Sequence, residues 1–409
     1  MGKYYWPRDN VDLYKVTNQD NIITLNTNGE ISNLFYLYSG YYAEAANIIT
    51  KITLESGSIR DLDFYFFSLA YQYRHSLELI LKAIAFQYIT DYENRINFMK
   101  DTKHNLLKIL EIISSYIDLE NDEVKESYKW LTRLFQDMDT IDRESDCFRY
   151  PFGLYKSKER WDRSKKYKLR VFFNEQTHID LIKFAKKMIV AREILISYYN
   201  STQIPKWYKD YKPIFIEAGG SYYAQSVIYT YNRDTFRIHV SAFHEGAGIL
   251  AKLIQENIAE KQHLFMPMCY LYRNSIELAL KQIIFEQCTF ERKQQQALHI
   301  MNHRKHSIQS LWNSVKKQIE QSISLSSEEK KLIDKYVRIL HELDLRADTF
   351  RYPVSISLEP HFKSDKTMDI QNTTLFFEEF HVLLNLVYTR MDQYNQYLAE
   401  MQAEQLQYY

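Results

Sequence analysis

The 409-residue sequence predicts an all-α protein made of two tandem four- to five-helix bundles with short extended insertions. Three observations carry this prediction. Gly and Pro number only nine and seven, about 2% each against a usual 7% and 5%, too few for a turn-rich barrel or sandwich. Apolar residues recur at helical rather than alternating spacing. The chain also repeats itself: AYQYRHSLELILKAI (70–84) matches CYLYRNSIELALKQI (269–283) at nine of fifteen positions. A period near 200 residues implies two copies of one globular unit related by internal duplication.

In the first copy, a helix over 34–56 ends near Ser56-Gly57, and a second spans 61–90 with Leu69, Tyr73, Leu77, Ile80, Leu81 and Ile84 on one side. Helices over 103–118 and 122–140 follow. The last, 176–200, places Leu181, Phe184, Ala185, Met188, Ile189 and Ile194 on its apolar positions. The second copy repeats the series at 241–258, 261–288, 305–322, 327–345 and 374–403. Pro151 and Pro353 stop the fourth helix of each copy. Residues 165–173 and 222–240, rich in Tyr, Val and Ile, read as short strands or extended links. Gly219-Gly220 and Ile204-Pro205 put the boundary near 201–222, giving units of 1–203 and 204–409.

The global signals are mostly exclusions. Lys+Arg and Asp+Glu both total 52, so the formal net charge is zero and any polyanion contact must be local. The N-terminal stretch has no apolar h-region and no run of 18 apolar residues exists, so neither a secretory signal nor a membrane span is expected. Cys147, Cys269 and Cys288 show no CxxC spacing. That argues against a disulfide framework or a Cys-based zinc site, and a cytoplasmic location is the expectation. No GxGxxG, GxxxxGK[ST], HExxH or GxSxG sequence is present, and no cofactor is expected. His299 and His303 lie one helical turn apart without an evident third ligand. The tyrosines 222, 223, 229 and 231 read either as a base-stacking run or as strand-to-helix packing.

Polar residues retained in both copies are the informative ones. They include Arg74/Arg273, Glu78/Glu277, Lys82/Lys281, His104/His306, Asp142/Asp344, Asp146/Asp348 and Arg149/Arg351. Arg74, Glu78 and Lys82 are spaced i, i+4, i+8 and share one helix face beside the apolar stripe. Two readings stay open: a structural ion-pair network holding the helices in register, and an acid/base and phosphate-binding cluster. In the second, Glu and His move protons while Arg and Lys bind phosphate.

The sequence S-[LI]-E-L-x-L-K-x-I, then Lys-His opening a helix, then D-x-F-R-Y-P ending one, resembles the HEPN superfamily over roughly 34–200 and 241–400. The resemblance implies four- to five-helix bundles that often dimerise, here fused as an intramolecular pseudo-dimer, with further homo-oligomerisation open. It implies an RNA-directed protein of a bacterial defence or toxin–antitoxin system, cleaving RNA without metal or serving as a non-catalytic antitoxin, sensor or scaffold for a protein or nucleotide partner. Active HEPN ribonucleases share an Arg-x4–6-His motif, from which this chain departs. Arg74-His75 and Arg273-Asn274 open it, but Leu79, Ile80, Leu81 and Leu278, Ala279, Leu280 occupy the histidine positions. The literal match, Arg292-x6-His299, lies in a segment read as a basic loop (ERKQQQALHIMNHRKH) with Arg304. The expected catalytic set is therefore His104, His306, Arg149, Arg351, Glu78 and Glu277. Arg74, Arg273, Lys82, Lys281, Arg292, His299 and Arg304 are the expected RNA contacts, and Asp146 and Asp348 the orienting carboxylates.

Overall fold

The computed structural model describes residues 12–16, 18–158, 165–173, 175–229, 236–288, 293–345 and 347–407. The chain is mostly helical, with twelve α-helices and six short strands among the described residues. Strand β1 (Ile22–Leu25) leads into α1 (Ile31–Glu55), α2 (Ile59–Tyr88), α3 (Tyr92–Thr102), α4 (Leu106–Ile113) and α5 (Asp122–Asp142). A hairpin of β2 (Phe152–Lys158) and β3 (Lys165–Val171) precedes β4 (Thr177–Asp180) and α6 (Leu181–Asn200). Then come β5 (Gln225–Ile228), α7 (Arg237–Gln255) and α8 (Lys261–Gln282), the last prolonged by a π-helical turn over Ile283–Gln287. The series closes with α9 (Lys293–Arg304), α10 (Ile308–Ser322), α11 (Ser327–Leu343), β6 (Lys366–Asp369) and α12 (Ile370–Gln407). Apart from the hairpin, the element order from β1 to α6 recurs from β5 to α12.

Helices α2 and α8 form the centre. Every residue from Tyr65 to Phe86 and from Leu264 to Gln282 is buried, so neither helix has a solvent face. A helix enclosed on all sides must either be apolar all round or pair each polar group it carries. Both also carry charges, which sets up the site below. Local signals fix their neighbours: Asn105 and Ser307, each following a His, cap α4 and α10 by accepting from Lys108 N and Ser310 N. Ser326 and Glu329 form a capping box on α11.

The two series exchange their leading arms. β1 pairs antiparallel with β6, from Ile22 opposite Asp369 to Leu25 opposite Lys366. β5 pairs with β4 in the same manner, from Thr177 opposite Ile228 to Asp180 opposite Gln225. Each leading strand thus completes a sheet just before the final helix of the other series.

Several expected elements differ. The helix expected over 103–118 is the shorter α4 followed by a 3-10 turn at Ser114–Tyr116, and α3, set off from it where Lys103 adopts φ of 48°, was not expected. The basic segment expected as a loop is helical over 293–304, and residues 237–240 belong to α7 rather than to a strand. Packing does not change hands after residue 203. Trp130 Nε1 donates to the Tyr211 carbonyl at 2.8 Å and the Phe215 amide donates to Asp137 at 2.7 Å, so residues 204–228 lie on the first series.

Candidate functional site

Each central helix carries the same charged ladder. On α2 the Glu78 carboxylate accepts from Arg74 Nη1 at 2.6 Å and from Lys82 Nζ at 2.8 Å. On α8 Glu277 accepts from Arg273 Nη1 and, at 2.7 Å, from Lys281 Nζ. The remaining arginine donors are also engaged: Arg74 Nε meets Asp142 at 3.1 Å and Arg273 Nε meets Asp344 at 2.8 Å. Their Nη2 groups donate to the backbone carbonyls of His104 and His306. Those carbonyls are aimed inward by Lys103 and Lys305, both held at positive φ, 48° and 47°. A non-glycine residue rarely adopts that region, and surrounding packing must compensate for it.

The histidines complete each ladder. His104 Nδ1 lies 3.1 Å from Glu78 Oε1, and His306 Nδ1 lies 3.0 Å from Glu277 Oε1. Nδ1–H donating to the carboxylate leaves the Nε2 lone pair facing outward. Neither Nε2 has a hydrogen-bond partner among the described residues, and the side chains are 28% and 36% exposed. These imidazoles are the wet ends of otherwise buried networks.

A tyrosine from the other series closes each cluster. Tyr352 donates to Glu78 Oε1 at 2.6 Å and sits 3.1 Å from His104 Nδ1. Tyr150 donates to Glu277 Oε1 at 2.8 Å and sits 3.1 Å from His306 Nδ1. The Lys82 and Lys281 ammonium groups lie over these rings, 4.8 Å and 4.2 Å from the centroids. Sequence reasoning quoted Tyr150 and Tyr352 within the repeated F-R-Y-P but singled out neither. Their recurrence was the signal available.

The electrostatics follow from this enclosure. Burial alone would raise the Glu78 carboxyl, but Lys82, His104 and Arg74 outweigh it and hold it well below the ordinary carboxylate range. Lys281, His306 and Arg273 do the same for Glu277. Burial pulls His104 down to about 4, helped by Arg351 and Lys82 and only partly opposed by Glu78. His306 shifts downward for the same leading reason. Both imidazoles are therefore neutral near pH 7, and a neutral imidazole anchored at Nδ1 is suited to accept a proton at Nε2.

The other expected site residues fall in different places. Arg74, Arg273 and Lys82 are buried, and the two arginines have Nε, Nη1 and Nη2 all engaged inside the protein, so they orient the glutamates rather than reach outward to a phosphate. Arg149 and Arg351 are buried as well. Arg149 donates to the Ser145 carbonyl and to Asp146, and Arg351 Nη2 contacts the Tyr352 hydroxyl at 3.2 Å. Both guanidinium groups approach the Tyr71 ring, at 5.8 Å and 5.9 Å. There the central helices meet, through Tyr71 and Tyr270 stacked at 4.9 Å. Asp142 and Asp344 hold the ladder arginines, whereas Asp146 pairs with Arg149.

Over His306 lies a cavity of about 260 Å³ whose walls include Tyr150, Lys281, Asn302 and Lys305. His299, His303 and Arg304 are exposed on α9, with the two imidazoles 4.2 Å apart. The β3 backbone reaches this helix, since the Tyr167 amide and carbonyl both bond the Gln295 side chain. Arg292 lies outside the described residues. Among the described residues no cluster of three or more His, Cys, Asp or Glu could hold a metal, and no helix is long and apolar enough to cross a membrane. No family model, curated protein or solved structure matches the chain.

Proposed function

We propose that this chain is an RNA-directed, HEPN-like protein whose two halves arose by internal duplication and act as a fused pseudo-dimer. In this reading it is a cytoplasmic protein of a bacterial defence or toxin–antitoxin system, with His104 and His306 as metal-independent acid/base groups for RNA cleavage. One observation carries the reading: each neutral imidazole is fixed at Nδ1 by a buried carboxylate and keeps Nε2 free at the surface. In such a reaction Nε2 takes the ribose 2′-hydroxyl proton. The 2′-oxygen then attacks the adjacent phosphorus, and the imidazolium returns that proton from Nε2 to the departing 5′-oxygen, leaving a 2′,3′-cyclic phosphate. Lys305, exposed beside His306, supplies the positive charge that a phosphate needs, whereas Lys281 is buried against Glu277. Incubating the purified full-length chain with total RNA, beside the His104→Ala/His306→Ala variant, tests this. Cleavage by the wild type that the variant loses supports it, and intact RNA in both removes the catalytic reading.

A second reading is a non-catalytic interaction module binding a protein or nucleotide partner. It is favoured by the saturation of Arg74 and Arg273, which leaves no arginine of the ladder free for a transition-state charge. Its mark is a stoichiometric partner that co-purifies while RNA stays uncut.

A further inference from the structure

A second cavity, of about 200 Å³, lies between α2, the hairpin, β5 and the start of α7. Its walls are mainly aromatic and aliphatic: Phe64 and Phe67 of α2, Val171 and Phe173 at the end of β3, Val227 and Ile228 of β5. His239 of α7 stands among them, 4% exposed, its ring 4.2 Å from that of Phe67. Among the described residues neither nitrogen of this imidazole has a hydrogen-bond partner. Buried polar groups are nearly always satisfied, and leaving one bare is unfavourable. A bare donor and a bare acceptor at the wall of an apolar cavity are what a ligand would satisfy.

The polar groups grade outward from His239. Asp63 is partly buried and uses one carboxylate oxygen to accept the Val227 amide at 2.7 Å. Arg60 is 55% exposed at its side chain and is turned to Glu245 at 2.7 Å. The charged residues thus have solvent or partners, and the enclosed part of the cavity is neutral. Its volume falls below the ~300–1,000 Å³ of pockets for drug-sized ligands, which limits the occupant to one or two fused rings. Phe64, Phe67 and Phe173 favour a flat aromatic occupant over an aliphatic one.

We propose that this cavity binds a small, uncharged, planar aromatic molecule whose ring N–H or O–H bonds to His239. Burial lowers His239 to about 3, so it stays neutral and can accept through one nitrogen while donating through the other. The site shares Tyr150 as a wall with the His306 cluster, but its ligand contact, His239, belongs to neither cluster.

The test uses the full-length chain and indole as the probe, with indene as its counterpart lacking the N–H. Calorimetric titration should show saturable indole binding to the wild type, with indene about tenfold weaker, the scale of one lost hydrogen bond in a dry site. His239→Leu should weaken indole by a similar factor. Its thermal midpoint should stay level or rise, because a bare polar group has been replaced by an apolar one. A second variant, Val227→Phe, fills the cavity from another wall and should abolish binding of both probes. Absence of saturable indole binding to a folded wild type overturns the proposal. So does His239→Leu binding indole as tightly as the wild type, or indene binding as tightly as indole.

Discussion

The Tyr352 hydroxyl donates to the Glu78 carboxylate at 2.6 Å across 274 positions of chain, and Tyr150 makes the reciprocal bond to Glu277 at 2.8 Å. Each charged ladder is therefore built on one series and closed by the other. Tyr352→Phe or Tyr150→Phe removes one hydroxyl and leaves a buried carboxylate short of a donor. Each should lower unfolding stability by about 1–3 kcal/mol with the helical content unchanged. Urea titration followed by far-ultraviolet circular dichroism measures this, and an unchanged midpoint would show that the crossing bonds contribute nothing.

Glu277→Gln should be far more damaging than its size suggests. It leaves Arg273 and Lys281 buried without their shared countercharge, a loss of about 3–5 kcal/mol for a broken buried pair. Glu245→Gln removes a partner of the half-exposed Arg60 and should cost less than about 1 kcal/mol. Chemical denaturation of both variants checks the contrast, and equal losses would contradict the burial argument.

Stability should fall as pH drops below 6.5. His104 sits at about 4 in the folded chain, and His239 and His381 at about 3, all lowered chiefly by burial from an ordinary 6.5. Between those values the unfolded chain binds protons that the folded chain refuses, so unfolding is favoured by about 1.4 kcal/mol per pH unit for each such proton. Above pH 6.5 both states are neutral at these positions and the contribution vanishes. Unfolding titrations from pH 8 to pH 4.5 should show a plateau and then a decline. A flat profile below pH 6.5 would mean the three imidazoles titrate normally.

The three thiols should be inert in the folded chain. Cys147, Cys269 and Cys288 are buried and unpaired, and burial pushes all three thiols up, Cys288 to about 12. The thiolate is the reactive form, so a maleimide at pH 7.5 should label none of them natively and all three in denaturant. Rapid labelling of the native chain would contradict the enclosure of α8 and of the α5–β2 connection.

Much of this arrangement was legible in the sequence, for physical reasons. Helices were visible because their apolar spacing is local, and the ladder was visible because Arg74, Glu78 and Lys82 recur as Arg273, Glu277 and Lys281. α3 escaped because its YENRINFMKDT sequence buries only Phe98, Met99 and Thr102 and carries little periodic signal. The four-residue strands β1, β4 and β6 escaped because their partners lie far along the chain, whereas β5 falls inside the 222–240 segment read as extended. The tyrosine closures failed for the same reason. Tyr150 and Tyr352 were in view, but spacing along a chain does not reveal that each serves the other series of helices.

The crossing tyrosines also set a timetable for synthesis. Domains commonly fold N-terminus first as the ribosome extends the chain at about 5–20 residues per second. Glu78 leaves the ribosome 274 residues ahead of Tyr352, a wait of roughly 15–55 seconds at those rates. During that interval the nascent chain holds the Glu78 carboxylate and Lys82 ammonium of α2 and the His104 imidazole after α3 without the ring that seals them. β1 waits longer still for β6, Ile22 being 347 residues ahead of Asp369. Emergence of Tyr352, rather than of the first half of the chain, is the moment at which the centre of this protein becomes dry.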